Sequence, residues 1–356
     1  MRNPPLYFVQ PYLKTKKIHP ENQETPIEFI SDRSIPSSLF YRRNHFPYPK
    51  LTSENYRFPI TGLVRHPRIF SWNDLKRLPS KTLKVVLECS GNKRSFFEPK
   101  TFGEQWEKGA ISQGEWRGVP LRTLLEITGI EKEAEEVIVE GYDYGYRSDL
   151  DRLYPYARSL PLEKAVHPDT LIAYEYNNEP IPFKHGFPFR LIVPQWYAMA
   201  SVKWIKQIHI TNTAFKGAFQ TIDYVYYPSR ENDEGAYPVT TMNVNSTIQS
   251  PLDMEILNTG RHTIRGIAWT GIGSISNIEV SIYDGETWNK MRIEASPCKS
   301  YEWCTWAYEW DVSRKGEYII KSRAIDSYNR SQPKKPLWNK KGYGYNAEDQ
   351  VKVLVE

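Results

Sequence analysis

Cysteine is scarce in this sequence: three in 356 residues, an odd number and too few for a disulfide framework. Cys89, Cys298 and Cys304 leave at least one thiol unpaired within the chain, and a bridge between the last two would close only a short loop. No Cys-x-x-Cys pair occurs, and the seven histidines form no His-x-x-x-His pair, which argues against a structural zinc site. The lack of Cys-x-x-Cys-His removes covalent c-type haem. No apolar run approaches a membrane span, and Met1-Arg2-Asn3-Pro4-Pro5-Leu6-Tyr7 has neither an apolar segment nor twin arginines, so the expectation is a cytoplasmic protein with no membrane partner. Charge of one sign is also lacking. The net charge is only +5 and the basic residues are scattered, which leaves no nucleic-acid footprint; a local cation cluster around a small anion remains compatible. There is no internal repeat and no low-complexity tract. Gly271-Ile272-Gly273 lacks the third glycine and following helix of a dinucleotide fingerprint, and reads as a strand turn.

What is present is enough for two cores. The chain is 40% hydrophobic and 14% aromatic, and its length exceeds one ordinary domain. Residues 1 to about 60 are rich in proline and charge and read as a wrapping segment. From about 60 to 235, short helices alternate with short strands. Ser71 caps a helix through Leu78 with Asp74 in its first turn, and Pro120 opens another whose Leu121, Leu124, Leu125 and Ile127 share a face before Gly129 ends it. Strands are expected at Leu83–Leu87, Val137–Val139, Leu171–Tyr176 and Phe189–Val193. This pattern predicts α+β rather than a doubly wound sheet. After about residue 240 only short alternating runs remain: Ile264–Trp269, Ile278–Tyr283, Thr287–Ile293 and Tyr318–Ala324, with Asp284-Gly285 as a hairpin turn. They predict an immunoglobulin-like β-sandwich at 241–356 behind a first domain at 1–240, with the boundary within Met242–Pro251.

The segment Leu87-Glu88-Cys89-Ser90-Gly91-Asn92-Lys93-Arg94 carries the most chemistry. An extended run delivers a thiol into a Ser-Gly-Asn turn followed by two cations, a setting that favours thiolate, the form that attacks electrophiles or binds a soft metal. On residue types alone, a buried structural cysteine stays equally open.

In its wider context the chain resembles the sulfite oxidase family of molybdenum-cofactor enzymes, collinearly from about Phe40. Arg43-Asn44-His45-Phe46-Pro47 resembles the opening cofactor-contact segment, and Cys89 to Arg94 is similar to the family's Cys-Ala-Gly-Asn-Arg-Arg signature. Trp106, Gly109 to Ser112 and Glu115 to Leu121 match the next block; His185 to Arg190, Val193-Pro194 and Ala200 to Trp204 match the longest. The resemblance implies a molybdopterin-type molybdenum cofactor with Cys89 as the protein ligand to the metal. It implies cofactor contacts from Arg43, Asn44, His45, Asp143, His185, Arg190, Ser201, Val202 and Lys203. Around the substrate it implies Arg43 and Arg94 as anion-binding cations, Tyr224 as a hydrogen-bonding phenol, and Trp106 as a pocket wall. The β-rich tail resembles the family's dimerisation domain, which implies a homodimer.

Two departures stand out. Lys93 replaces one arginine of the signature, keeping charge but losing the planar fork. Cys304 falls about where relatives carry an arginine near substrate, which would leave the anion pocket one cation short. No segment matches the haem or flavin domains of vertebrate sulfite oxidases and plant nitrate reductases, so electrons are expected to leave for a separate acceptor. The resemblance thus implies oxidation of sulfite, or a similar small oxyanion, by oxygen-atom transfer. The rivals are a sulfoxide or nitrate reductase on the same scaffold, a non-catalytic binding protein, and a thiol redox sensor built on Cys89.

Overall fold

The apolar alternation in Lys81-Thr82-Leu83-Lys84-Val85-Val86-Leu87-Glu88 becomes a strand whose last four residues are buried. The computed structural model describes residues 12–30, 34–51, 56–292 and 300–356. Cys298, Ile293 and the first seven residues lie outside the described residues. Strand Lys81–Glu88 pairs antiparallel with Ile111–Pro120, which pairs with Leu171–Tyr176; Glu179–Pro180 and Arg190–Ile192 complete this sheet. A second sheet runs in the order Arg68–Ser71, Arg57–Gly62, Ile205–Thr211, Glu136–Arg147, Arg152–Pro161, with one parallel pair at its centre. Side chains from both sheets, including Phe58, Ile60, Val86, Val119, Val139, Ile172 and Ile208, close one core. A smaller aromatic cluster of Phe40, Tyr41, Trp106, Trp116 and Tyr176 surrounds Cys89.

The C-terminal region stacks a three-stranded sheet, Asn245–Ser250, Gly260–Trp269 and Cys304–Val312, on a five-stranded one. The latter runs Glu255–Leu257, Asp349–Val355, Gly316–Asp326, Ile275–Ser281, Asn289–Arg292. Ile264, Trp306, Ile278, Ile320 and Val351 meet between them in a second core. Asp284 and Gly285 both have positive φ, 51° and 83°, and Glu286 N–H donates to the Tyr283 carbonyl at 2.9 Å, as a two-residue turn of primed type requires.

Both expected helices form. Trp72–Arg77 starts with a capping box in which Ser71 and Asp74 bond each other's backbone, and Leu121–Thr128 ends at Gly129 with φ 68°. Helix is nonetheless scarcer than an α+β expectation implies. Only one further α-helix, Leu162–Ala165, occurs among the described residues, and the architecture is mostly β. The extra strands, such as Ile111–Pro120 and Arg152–Pro161, contain Gly or Pro and weak alternation. Cross-strand pairing stabilises them where local propensity does not. No helix among the described residues is long and apolar enough to cross a membrane.

Candidate active site

Cys89 is the first residue beyond a sheet edge, because Glu88 pairs with Ile111 at the last rung. Its amide still donates to Ala110 O at 2.9 Å, and Asn92 N–H returns to Cys89 O at 2.8 Å to close the turn. Gly91 is required here: a Cβ would sit 2.6 Å from the Arg94 guanidinium folded back against it. The turn places Cys89 and Ser90 in the wall of a cavity partly open to solvent.

The remaining wall comes from segments distant in the chain. Arg43 and His45 arrive from the wrapping segment, Asp143 from a bulge in strand Glu136–Arg147, and His185, Arg190, Ser201 and Lys203 from around strand Arg190–Ile192. At the bulge Gly141 lets the chain approach its neighbours, since a Cβ would lie 2.5 Å from Asp143 Oδ1 and 2.7 Å from Lys203 O. Tyr224 follows a π-helical turn, Phe219–Asp223, and its hydroxyl lies 2.7 Å from His45 Nε2.

Not every expected residue faces the cavity. Asn44 lies beside it, with its side-chain NH₂ donating to Glu21 O at 2.7 Å and its oxygen accepting from Lys203. Ser201 lines the wall, but its hydroxyl accepts from Val193 N–H at 3.1 Å; Val202 is a core side chain whose carbonyl accepts from Leu191 N–H at 2.8 Å. Trp106 is fully buried behind Cys89 and does not line the cavity. Arg94 is buried, donates to the carbonyls of Glu104, Lys341 and Gly342 at 3.0–3.2 Å, and lies 5.1 Å over the Tyr343 ring. Arg94→Gln therefore strips three backbone acceptors of a partner as well as removing a charge.

The two departures resolve differently. Lys93 points away from the cavity into the contact with the C-terminal region, where Nζ donates to Ser246 O at 2.7 Å and Asn245 Oδ1 at 2.9 Å. Cys304 is buried in the sandwich core, its Sγ 3.6 Å from Ala268 O, so it occupies no place in the anion pocket. The structure brings up groups that spacing could not reveal. Arg158 is 1% exposed and lies 5.4 Å from the Tyr224 ring, and Tyr343 stacks on that ring. Alternation with Tyr154 and Tyr156 was the one local sign that Arg158 faces inward.

Burial pushes the Cys89 thiol above its ordinary value, outweighing the pull of Arg43 and Arg94. The protein alone therefore does not make an activated thiolate, which weakens the redox-sensor reading; coordination to a metal would deprotonate it outright. Burial and the surrounding cations, Arg43 first, hold His45 far below the usual histidine range, so the imidazole is neutral. Burial raises Asp143 to about 6, against the pull of Lys203, and lowers Lys203 to about 7, against the pull of Asp143.

These residues fit a large anionic, metal-bearing pterin. Among the described residues no cluster of three or more His, Cys, Asp or Glu could hold a metal ion, so Cys89 could serve only a metal that brings its other ligands with it. Asp143 Oδ1 is buried without a hydrogen-bond partner and awaits a donor. Arg43, Arg190 and Lys203 share the wall with that single carboxylate, an excess of buried positive charge that an anion would offset. Arg42 and Lys184, also at the wall, are already engaged by Glu21 at 3.0 and 3.1 Å.

Comparison with known proteins agrees with this geometry. Residues 45–219 match the oxidoreductase molybdopterin binding domain, and residues 236–356 match the Mo-co oxidoreductase dimerisation domain. The mitochondrial sulfite oxidase of Macaca fascicularis is 33% identical over 366 residues, which take in 97% of this chain but 66% of that protein. That of Rattus norvegicus is 30% identical over 382 residues, covering 99% of this chain and 69% of its own length. The solved structure of sulfane dehydrogenase SoxCD from Paracoccus pantotrophus superposes with a TM-score of 0.82 at 26% identity, covering all of this chain and 90% of that one. The chain belongs to the sulfite oxidase family of molybdenum-cofactor oxidoreductases.

Proposed function

We propose that this chain oxidises sulfite, or a small sulfur oxyanion close to it, and passes the electrons to a separate acceptor. The observation that carries this reading is a buried thiol in a cavity whose wall sets three basic groups, Arg43, Arg190 and Lys203, against one carboxylate. When bound through Cys89, the molybdenum–pterin group supplies the oxygen-atom transfer and the two-electron change. Asp143 Oδ1 would accept from a pterin N–H, while Arg190, His185 and Lys203 would hold its anionic end.

On the substrate side Arg43 and Tyr224 are the donors. An arginine can only donate, and Arg43 Nη2 lies within reach of both ring nitrogens of His45, 3.2 Å from Nδ1 and 3.3 Å from Nε2. In the tautomer whose proton sits on Nε2, the neutral imidazole donates to the Tyr224 oxygen 2.7 Å away. The phenol proton is then shared between the Tyr156 hydroxyl and a bound oxyanion. Arg43→Gln should raise KM for sulfite by about tenfold or more, the scale of one lost charged hydrogen bond, with a smaller change in kcat. An unchanged KM removes Arg43 from the pocket.

We read residues 1–240 as the catalytic domain and the two-sheet region from 241 as an immunoglobulin-like sandwich that pairs two copies of the chain. Sedimentation at micromolar concentration should show a dimer; a monomer refutes that pairing. The decisive experiment is metal analysis of the purified chain from cells able to make the cofactor, followed by steady-state sulfite oxidation with an artificial acceptor. Absence of molybdenum defeats the reading. Reduction of nitrate or a sulfoxide without sulfite turnover replaces it with the reductase alternative.

A further inference from the structure

The Tyr224 phenol does not stand alone. Its ring stacks on Tyr343 with centroids 5.4 Å apart and planes at 30°. Arg94 lies 5.1 Å over the Tyr343 ring, and Arg158 lies 5.4 Å from the Tyr224 ring. Each of the two stacked phenols thus has a buried guanidinium near its ring, an arrangement favoured by the negative ring faces and strengthened by the lack of water. Arg158 has no carboxylate in salt-bridge range among the described residues, and its Nε has no hydrogen-bond partner. Its Nη1 donates to Phe219 O, and the Tyr224 ring is a further contact for that cation.

Tyr343 itself is held on both sides. Asn339, 1% exposed, accepts from Tyr343 N–H at 3.0 Å and donates to Tyr343 O at 2.9 Å. Its neighbour Gly342 accepts from Arg94 Nε at 3.2 Å, and Gly344 N–H donates to Ser90 O at 2.8 Å. The loop is therefore fastened to the turn that carries Cys89. A Cβ on Gly342 would meet Thr101 Oγ1 at 2.1 Å, so the close approach depends on glycine. Nothing in the local sequence around Lys340-Lys341-Gly342-Tyr343 marks this role.

We propose that Tyr343 is a positioning residue for Tyr224: the C-terminal segment contributes one half of a stacked phenol pair with a guanidinium near each ring, and the anion pocket is incomplete without it. The stack fixes the tilt of the Tyr224 ring, and with it the direction of the hydroxyl that meets His45 and the oxyanion. This proposal rests on the reading of Tyr224 as a substrate-side donor. Loss of the Tyr343 ring lets Tyr224 swing, and a misplacement of about 1 Å in a reacting site can cost about 100-fold in rate.

A double-mutant cycle in the full-length, cofactor-loaded protein tests it, using Tyr343→Leu, Tyr224→Phe and the pair, with Tyr343→Phe as the conservative variant. Molybdenum content, kcat and KM for sulfite, and the Kd of sulfate by calorimetry are measured for each. Tyr343→Leu should keep wild-type molybdenum content and lose about tenfold or more in kcat/KM. Adding Tyr224→Phe to it should cost less than about twofold more, because both act through one hydroxyl. Sulfate affinity should follow the same non-additive pattern, and Tyr343→Phe should stay within about threefold of wild type, since the ring is kept. Losses that multiply, a Tyr343→Leu protein equal to wild type, or a Tyr343→Phe protein as impaired as the leucine variant would each overturn the proposal. So would a wild-type protein that binds no sulfate. If wild-type protein binds sulfate but does not oxidise sulfite, the functional reading falls while the binding cycle still decides the stack.

Discussion

Cys89→Ser should leave a folded protein with no measurable sulfite oxidation, kcat falling by about 10³-fold or more, the scale seen when a reacting group is removed. The fold tolerates the change because serine has nearly the same shape and the local backbone bonds of the turn do not use the thiol. Burying one hydroxyl costs about 1–3 kcal/mol against a stability of about 5–15 kcal/mol. The chemistry does not tolerate it, because serine offers a hard oxygen where a soft sulfur is needed, and its hydroxyl is not ionised at neutral pH. Thermal melting, molybdenum content and steady-state rate measured on the same preparation separate the two effects. A serine variant with full activity would show that the thiol does not hold the metal, whatever the rest of the pocket does.

Asp349→Ala should destabilise the protein by about 3–5 kcal/mol, the penalty for breaking a buried ion pair by removing one partner. Asp349 is 5% exposed and bridges Lys93 at 3.3 Å and Lys108 at 2.8 Å, while Oδ2 also accepts from Ile248 N–H at 2.8 Å. Lys93 is 0% exposed. Without the carboxylate two ammonium groups lose the counter-charge they share, and Lys93 belongs to the turn that carries Cys89. The variant should consequently also lose molybdenum during purification. Burial alone would raise the Asp349 carboxyl, but Lys108 and Lys93 outweigh it and hold it below its ordinary 3.8. A depressed folded value means that the stabilisation is fully present above about pH 4 and fades as pH falls through the folded value. Chemical denaturation at pH 7 and at pH 3 is the measurement. A gap between wild type and variant that does not narrow in acid would show that the loss comes from packing rather than charge.

The wedge of Lys93 between the domains illustrates where sequence reading stops. Lys93 and Arg94 are adjacent, both basic and both part of the family signature, yet one runs to Asp349 and the other to Tyr343. A left-handed residue, Lys93 at φ 63°, separates their directions, and no pattern in the neighbouring residues announces it. Cys304 shows the converse. Its place in the sequence implied a missing pocket cation, whereas strand pairing with Ala268 puts it in the sandwich core.

By itself the sequence determined the helix caps at Ser71 and Gly129, the turn at Asp284-Gly285, many of the strands, and the cysteine-bearing turn with its family. Each is encoded by residues a few positions apart, through side-chain-to-backbone bonds, a period of two, or tolerance of positive φ. Only the tertiary structure decided that Trp106 lies behind the thiol, that Arg158 and Tyr343 meet the Tyr224 ring, and that burial raises rather than lowers the thiol's proton affinity. Those outcomes depend on contacts between residues far apart in the chain, and on how much water the finished packing excludes. Neither quantity is written into any short stretch of sequence.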